Sequence, residues 1–190
     1  MNWLRNLFSG NLPSQVSSQR PLVIDSPRIA FLNLSGVNGV SFINADMDAF
    51  GGLFALIETN AHDVPDCDVL VIYCDLRSDG AIDGESRALR DLIDSSSAKI
   101  AIVASNNGGD SYMTAGKRNE HDPVNLVMTL DRKGDAFAQF FAKIFSRMFI
   151  GESMLSAWVE LAPQHSGTKH DDCPETIFAA EVSHIVFHRE

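Results

Sequence analysis

The chain has 190 residues, with 25 acidic and 15 basic side chains and a formal net charge of −10. A hydrophobic share of 45% and a charged share of 21% are ordinary for a globular protein, so the composition excludes a disordered, collagen-like or disulfide-dense chain. The negative charge argues against a protein that binds nucleic acid or an anionic membrane surface, because both partners would repel it.

The length suits one domain with a substantial core. Residues 1–27 are predicted to form an N-terminal arm or linker, because Ser, Gln, Asn and Pro dominate residues 9–28 without hydrophobic periodicity. Residues 28–190 are predicted to be a single α/β domain. Four apolar side chains near the start would share one face of a short amphipathic turn: Trp3, Leu4, Leu7 and Phe8. This arm is interpreted as docked or loose, and contact with a membrane surface or a partner is the alternative.

The cysteines and the apolar runs bear on the compartment. Three cysteines (Cys67, Cys74 and Cys173) do not make a disulfide framework, so a reducing, cytoplasmic location is predicted. No stretch approaches 18 consecutive apolar residues, so no transmembrane segment is predicted. The apolar run at the start is too short for a signal peptide.

The domain alternates predicted strands and helices. In chain order they are strand 28–34, turn 35–39, helix 46–60, strand 68–74, loop 75–84, helix 87–93, strand 99–104, loop 105–110, strand 125–130, helices 135–149 and 154–161, and two short strands within 175–187. Asn44 or Asp46 is the expected N-cap of the first helix. No helix is predicted directly after loop 105–110, and the last two strands are interpreted as a terminal hairpin.

Continuous apolar runs such as residues 68–74 are typical of interior strands that are covered on both faces. Alternating strands and helices then favour right-handed βαβ units. The predicted fold is therefore an α/β/α sandwich of three layers with a mostly parallel central sheet.

Ligands of open α/β sheets bind beyond the carboxyl ends of the strands. Three polar loops that contain glycine occupy that edge: 35–39, 75–84 and 105–110. The candidate pocket residues in them are Asn38, Asp75, Asp79, Ser105, Asn106 and Asn107. The alternative is that these loops are ordinary turns at strand ends.

No metal or cofactor is predicted from these loops. A carboxylate such as Asp75, directly after an interior strand, can hold Mg²⁺, but the spacing of Asp75, Asp79 and Asp83 does not match a calcium loop. Residues 105–109 lack the Lys-Ser/Thr ending of a phosphate-binding loop. Ser105 as a nucleophile would need a base, and no histidine lies near it in the sequence.

Four segments resemble the caspase-like peptidase fold, in particular its bacterial CHAT-type branch: 68–75, 99–109, 125–130 and 137–164. Most of the likeness is carried by Phe137-Ala138-Gln139-Phe140-Phe141, by Gly151-Glu152-Ser153 and the helix after it, and by Pro163-Gln164. The resemblance implies a strand, a helix, a strand ending in small residues, a further strand, a Phe-rich helix and a short helix opened by Gly-x-Ser. Only one strand is predicted before residue 68, which leaves a flavodoxin-like sandwich as the alternative.

The chemistry of that family does not carry over. The nucleophilic Cys position of the family falls on or near Asn106, and its His position falls near Asp75. A peptidase needs a thiolate and an imidazole within hydrogen-bond reach, and neither Asn nor Asp supplies them. The resemblance therefore implies a caspase-like domain without its catalytic pair.

The function predicted from the sequence is a non-catalytic, pseudo-peptidase domain that binds or scaffolds another protein. Two alternatives use the polar loops: an Mg²⁺-dependent hydrolase or transferase, and a small-molecule sensor. Self-association is a further partner prediction, because Met148, Phe149 and Trp158 are large. The spacing of these three residues fits a buried stripe better than a dimer contact.

Overall fold

The computed structural model describes residues 20–35, 40–57, 63–117, 122–162 and 173–189. The strands in them are β1 (Leu22–Asp25), β2 (Arg28–Asn33), β3 (Ala55–Ile57), β4 (Val69–Tyr73), β5 (Ile100–Val103), β6 (Asn125–Asp131), β7 (Glu175–Ala180) and β8 (Ile185–His188). The helices are α1 (Val40–Phe50), α2 (Leu89–Asp94), α3 (Gly109–Ala115), α4 (Ala136–Met148) and α5 (Met154–Leu161). None of the helices described is long and apolar enough to cross a membrane.

The central sheet has six strands in the order β3-β2-β4-β5-β6-β7. The first five are parallel, with Val71 of β4 opposite Phe31 of β2 and Ile102 of β5, and β7 runs antiparallel to β6. Every residue of β4 and β5 is buried, which explains their continuous apolar sequences. The predicted α/β class and the mostly parallel sheet are confirmed.

Helices cover both faces of the sheet and make the three layers. We call the core that α1, α4 and α5 bury the aromatic layer, because phenylalanines fill it: Phe31, Phe50, Phe54, Phe137, Phe140, Phe141 and Phe145. We call the core under α2 and α3 the aliphatic layer, which Leu70, Ile72, Leu89, Leu92 and Ile93 dominate. In the aromatic layer, Trp158 packs against Phe178 with ring centroids 4.8 Å apart, and Met148 is fully buried.

The first helix differs from its prediction at both ends. It begins at Val40 and ends at Phe50, where Gly51 and Gly52 follow, and residues 55–57 form edge strand β3 instead of a fourth helical turn. The amide of Gly51 still donates to the carbonyl of Met47. Two consecutive glycines favour helix termination, and pairing with β2 then satisfies the backbone of the residues that follow.

The predicted terminal hairpin is wrong. Strand β7 joins the central sheet beside β6, whereas β8 pairs with β1 in a separate parallel sheet of two strands. Strand β1 lies within residues 1–27, which the sequence assigned to the arm. It is part of the folded domain, because its Ile24 is buried in the aromatic layer with Ile185 and Phe187 of β8. Residues 1–19 lie outside the described part of the chain.

The turn between α4 and α5 follows its sequence signals closely. Gly151 adopts a φ of +91°, which L side chains rarely adopt, directly after α4. Ser153 is the N-cap of α5, and its hydroxyl accepts a hydrogen bond from the amide of Ser156 at 3.2 Å. Helices α4 and α5, which periodicity predicted, are therefore present with nearly the predicted ends.

Candidate functional site

Two loops at the carboxyl edge of the sheet are joined by the side chain of Asn107. Its Oδ1 accepts a hydrogen bond from the amide of Leu76 at 2.8 Å, and its Nδ2 donates to the carbonyl of Cys74 at 3.1 Å. These contacts bracket Asp75, whose carboxylate is exposed and whose carbonyl accepts from the amide of Asp83. The structure thus brings Asp75 and Asn107 together, with Asn107 holding the backbone on both sides of Asp75.

The buried hydroxyl of Tyr112 also contacts the loop that contains Asn107. It lies 3.2 Å from Nδ2 of Asn107 and 2.8 Å from the carbonyl of Thr129, and it also contacts the carbonyl of Ser105. Burial raises the pKa of Tyr112, so its hydroxyl stays protonated and can donate. Ser105 therefore contributes a backbone carbonyl to a structural hydrogen bond.

Tyr112 lies on helix α3, which the sequence did not predict. The helix begins at Gly109, and its N-cap Gly108 has no side chain to make a capping bond, so the usual start signals are missing. Burial of Tyr112 and Ala115 holds it on the sheet. Gly80 packs on its end so closely that a Cβ there would lie 2.7 Å from the amide nitrogen of Ala115.

Asn106 joins the loops after β5 and β6. Its Oδ1 accepts a hydrogen bond from the amide of Arg132 at 3.1 Å. The Nη1 of Arg132 in turn donates to the carbonyl of Ala104, 2.9 Å away at the end of β5. Asn106 and Asn107 therefore tether two different neighbouring loops, although they are adjacent in the sequence.

A buried ion pair lies beneath this edge on the aromatic side. Nη2 of Arg132 contacts the two carboxylate oxygens of Asp46 at 2.9 and 3.1 Å, and both side chains are at most 3% exposed. The hydroxyl of Tyr73 also donates to Asp46. The Arg132 guanidinium lies between two rings, with its Cζ 4.4 Å from the centroid of Phe42 and 4.0 Å from that of Phe137.

Burial controls the protonation of this group. It raises the pKa of Asp46, while the guanidinium of Arg132 works in the opposite direction. It also raises the pKa of Tyr73, which keeps its hydroxyl a donor. Three buried side-chain atoms have no hydrogen-bond partner among the described residues: Nε of Arg132, Oγ1 of Thr129 and, in the aliphatic layer, Nε of Arg90. The pair connects α1 to the ends of β4, β5 and β6.

The sequence reasoning missed this group. Asp46 was an expected N-cap, yet it lies in the middle of α1 and points into the core. The available signal was its spacing: Ile43, Met47 and Phe50 flank it on one helical face, so an acidic residue stood on an apolar stripe. Arg132, two residues beyond the predicted strand 125–130, carried a weaker signal.

Asp79 does not join the other candidates. It accepts hydrogen bonds from Arg77 and from the amide of Ala81, and the bond from Arg77 lowers the pKa of Asp79. It lines a cavity of about 330 Å³ between α2 and α3, together with Arg90, Asp91, Thr114 and Lys117. Arg90 at this cavity is buried and pairs with Glu181. Asp79 thus lies at the surface, beside α2 and α3.

The remaining candidate residues give the edge little further chemistry. Asn38 lies outside the described residues. The thiol of Cys74, at the end of β4, is fully buried, and burial raises its pKa to about 12. Among the residues described, no group of three or more His, Cys, Asp and Glu side chains is placed to hold a metal ion.

The carboxyl edge is therefore a set of loops held together by amide, phenol and guanidinium groups over a buried ion pair. Comparison with known proteins adds no identity to this geometry, since no protein-family model, no curated protein and no solved structure matches the chain.

Proposed function

We propose that this chain is a non-catalytic domain of caspase-like architecture that binds another protein. The observation that carries the proposal is the use made of Asn106 and Asn107. They occupy the region where the resemblance expects a nucleophile, and both make structural hydrogen bonds to neighbouring loops. The side-chain amides of Asn106 and Asn107 thus hold the loops in place.

The order of elements supports the caspase-like part of the proposal. Strand β4 is followed by α2, β5, β6, the Phe-rich helix α4 and then α5, which Ser153 caps two residues after Gly151. This is the order that the resemblance implied. The additional helix α3 falls between β5 and β6.

The experiment uses the purified full chain, first as bait and then with a purified partner. We expect saturable binding with a defined stoichiometry, equal in wild type and in the Cys74→Ala variant, because a buried protonated thiol takes no part in it. Cys67→Ala is the matched control, since its thiol is buried in the same layer. Hydrolysis of a peptide library by the wild type that is lost in Cys74→Ala alone would overturn the proposal.

The cavity beside Asp79 favours one second candidate, a small-molecule sensor. Its volume of about 330 Å³ falls in the usual range for ligand pockets, and its lining carries charges of both signs. A ligand that binds the folded chain must raise its melting temperature. A rise with a metabolite extract, lost in Lys117→Gln, would support the sensor over the interaction domain.

The Mg²⁺-dependent enzyme remains an alternative proposal with Asp75 as its ligand. Millimolar Mg²⁺ would then raise the melting temperature of the wild type and leave that of Asp75→Asn unchanged. Self-association is tested separately, by measuring the molecular mass of the wild type in solution. The three cysteines are free and buried, which suits the reducing, cytoplasmic compartment that we propose.

A further inference from the structure

A small open slot, lined by both apolar and polar groups, lies at the opposite, amino-terminal edge of the sheet. We call it the Arg189 slot. Its lining is Ser26, Pro27, Leu53, Ala55, Phe149 and Arg189, and its volume is about 190 Å³. That volume is below the roughly 300–1,000 Å³ of pockets for drug-sized ligands, and slightly above the roughly 150 Å³ of an enclosed cavity that holds benzene. The slot is therefore of a size for one side chain of a larger molecule.

Among the described residues that line the slot, Arg189 is the charged one. The guanidinium of Arg189 lies over the ring of Phe149, 4.7 Å from its centroid, and Nη2 donates to the carbonyls of Gly52 and Leu53 at 3.1 and 3.4 Å. Among the described residues no carboxylate pairs with Arg189. The nearby carboxylate of Asp25 is 3.1 Å from Nδ1 of His188, the residue opposite it in the register of β1 and β8.

An occupant that fits both features carries an apolar side chain and a carboxylate close together. Arg189 itself lines the slot. The apolar group that fills the slot and the carboxylate that meets the guanidinium must therefore lie close together in the ligand. In a polypeptide, the last residue alone has an apolar side chain and a free carboxylate on one Cα. Because Nη2 already donates to the carbonyls of Gly52 and Leu53, a carboxylate would pair with the guanidinium through its charge and a hydrogen bond from Nη1.

We propose that the Arg189 slot binds the carboxyl-terminal residue of a partner protein, an apolar residue of the size of Val, Leu or Phe. The proposal rests on the interaction function and names the partner's chemistry. Its main-chain carboxylate pairs with Arg189, and its side chain lies against Phe149 and Leu53. Because the chain carries a net charge of −10, a partner that is otherwise basic would bind fastest.

The test is an NMR titration of the ¹⁵N-labelled full chain with three short probes. They are the acetylated tetrapeptide Ac-Gly-Gly-Ser-Leu with a free carboxylate, the same peptide as its carboxamide, and Ac-Gly-Gly-Ser-Ser with a free carboxylate. We expect amide shifts at Leu53, Ala55, Phe149 and Arg189 with the first probe. The other two probes lack the charge or the apolar side chain, and each should bind about tenfold more weakly.

Variants separate recognition from folding. Arg189→Gln should weaken the free acid about tenfold and leave the carboxamide unchanged, a pattern that a general loss of structure cannot produce. Arg189→Lys keeps the charge and should lie between the two. Ala55→Leu, at an exposed position of edge strand β3, should reduce the binding of both peptides by filling the slot.

Three results would overturn the proposal. They are equal binding of acid and carboxamide, shifts confined to other surfaces or absent, and hexanoate binding as tightly as the peptide, which would make the slot a site for free aliphatic acids. The slot proposal can also fail while the interaction function stands. A purified partner that binds wild type and Arg189→Gln equally would remove the slot proposal and keep the interaction domain.

Discussion

The two faces of the sheet are covered by cores of different composition, one rich in phenylalanine and one rich in leucine and isoleucine. The aromatic layer lies under α4, which buries seven of its residues, and it encloses the ion pair of Asp46 and Arg132. The aliphatic layer lies under α2 and α3, helices of six and seven residues, and its buried arginine, Arg90, pairs with Glu181 near the rim of the sheet.

The difference concerns how much of each layer depends on polar groups. In the aromatic layer the polar group lies beneath the carboxyl edge, and Asp46 is fully buried on a helix that faces phenylalanines. In the aliphatic layer, the loops around the short helices α2 and α3 are fixed by Asn107, Tyr112 and Gly80. Helices as short as α2 and α3 are unstable in isolation, so they depend on tertiary packing for their stability.

The largest expected effect is the loss of the central charge pair. Asp46→Ala leaves the Arg132 cation buried without its carboxylate, and we expect the free energy of unfolding to fall by about 3–5 kcal/mol. Asp48→Ala, an exposed position on the same helix, is the matched control. Urea unfolding of both proteins measures the difference. A loss below about 1 kcal/mol for Asp46→Ala would show that the aromatic layer does not depend on the pair.

Removing both charges should cost much less than removing one. In Asp46→Leu with Arg132→Met, apolar side chains replace the pair and no buried charge remains. We expect the double variant to recover most of the stability lost by Asp46→Ala, since buried pairs often give little net stabilisation. If it is as unstable as the single variant, the hydrogen bond from Nη1 of Arg132 to the carbonyl of Ala104 must dominate.

The thiols give the second comparison. Burial raises the pKa of Cys74 in the aliphatic layer to about 12 from an ordinary value of 9.0, so its thiolate fraction at pH 8 is about 1,000-fold lower. Cys173, 9% exposed at the rim of the aromatic layer, should react with a thiol reagent first. The folded chain keeps the Cys74 proton that the unfolded chain releases, so stability should fall as pH rises above about 9.

The measurement is the rate of labelling by a coloured disulfide reagent at pH 8, with and without denaturant. Labelling of Cys74 should follow global unfolding, and the control is a Cys173→Ser variant that isolates the two thiols of the aliphatic layer. Rapid labelling of Cys74 in the folded protein would show that the carboxyl edge opens, and it would weaken the proposed absence of catalysis.

The tyrosines compare the two layers directly. Tyr73→Phe removes a hydrogen bond to the Asp46 carboxylate and should cost about 1.5–3 kcal/mol, while Tyr112→Phe removes a donor to backbone carbonyls and should cost about 1–2 kcal/mol. Hydrogen exchange should quicken around α1 in the first variant and around residues 105–110 in the second. Exchange that quickens over the whole chain in either variant would deny the layers separate roles.

The smallest effect is expected on the surface. Arg147→Gln removes a cation that contacts Glu152 and Glu160, and its side chain is 32% exposed. Exposed pairs contribute little, so the change should be below about 1 kcal/mol and shrink with added salt. A larger loss, by thermal melting at two salt concentrations, would place the turn between α4 and α5 among the structural determinants of the aromatic layer.

Much of the fold could be predicted from the sequence. Apolar runs in β2, β4, β5 and β6 identify interior parallel strands, and periodicity together with Gly151 and Ser153 fixes α4 and α5. The errors fall where local signals conflict with tertiary pairing. Residues 55–57 continue a helical pattern, but they join the sheet, and α3 forms without a capping residue because Tyr112 and Ala115 are buried.

The candidate site was predicted in part. Loop position alone placed Asp75, Asn106 and Asn107 at one edge, since parallel strands end together. Their hydrogen-bond partners lie 26 to 33 residues away along the chain, so no local pattern reveals them. Asp79 lines the cavity beside α2 and α3, because the length of a loop does not fix its course and Gly80, the next residue, packs against α3.

Hydrophobic pattern and glycine placement, which act over a few residues, determined the class of this protein, its interior strands and its long helices. The tertiary structure decided that strands β7 and β8 separate, that Asp46 meets Arg132 across 86 residues of chain, and that the amides of the carboxyl edge tether loops. Such contacts are favourable because a buried polar group needs a hydrogen-bond partner. The partner is supplied by a distant segment of the chain, so a local sequence pattern does not contain it.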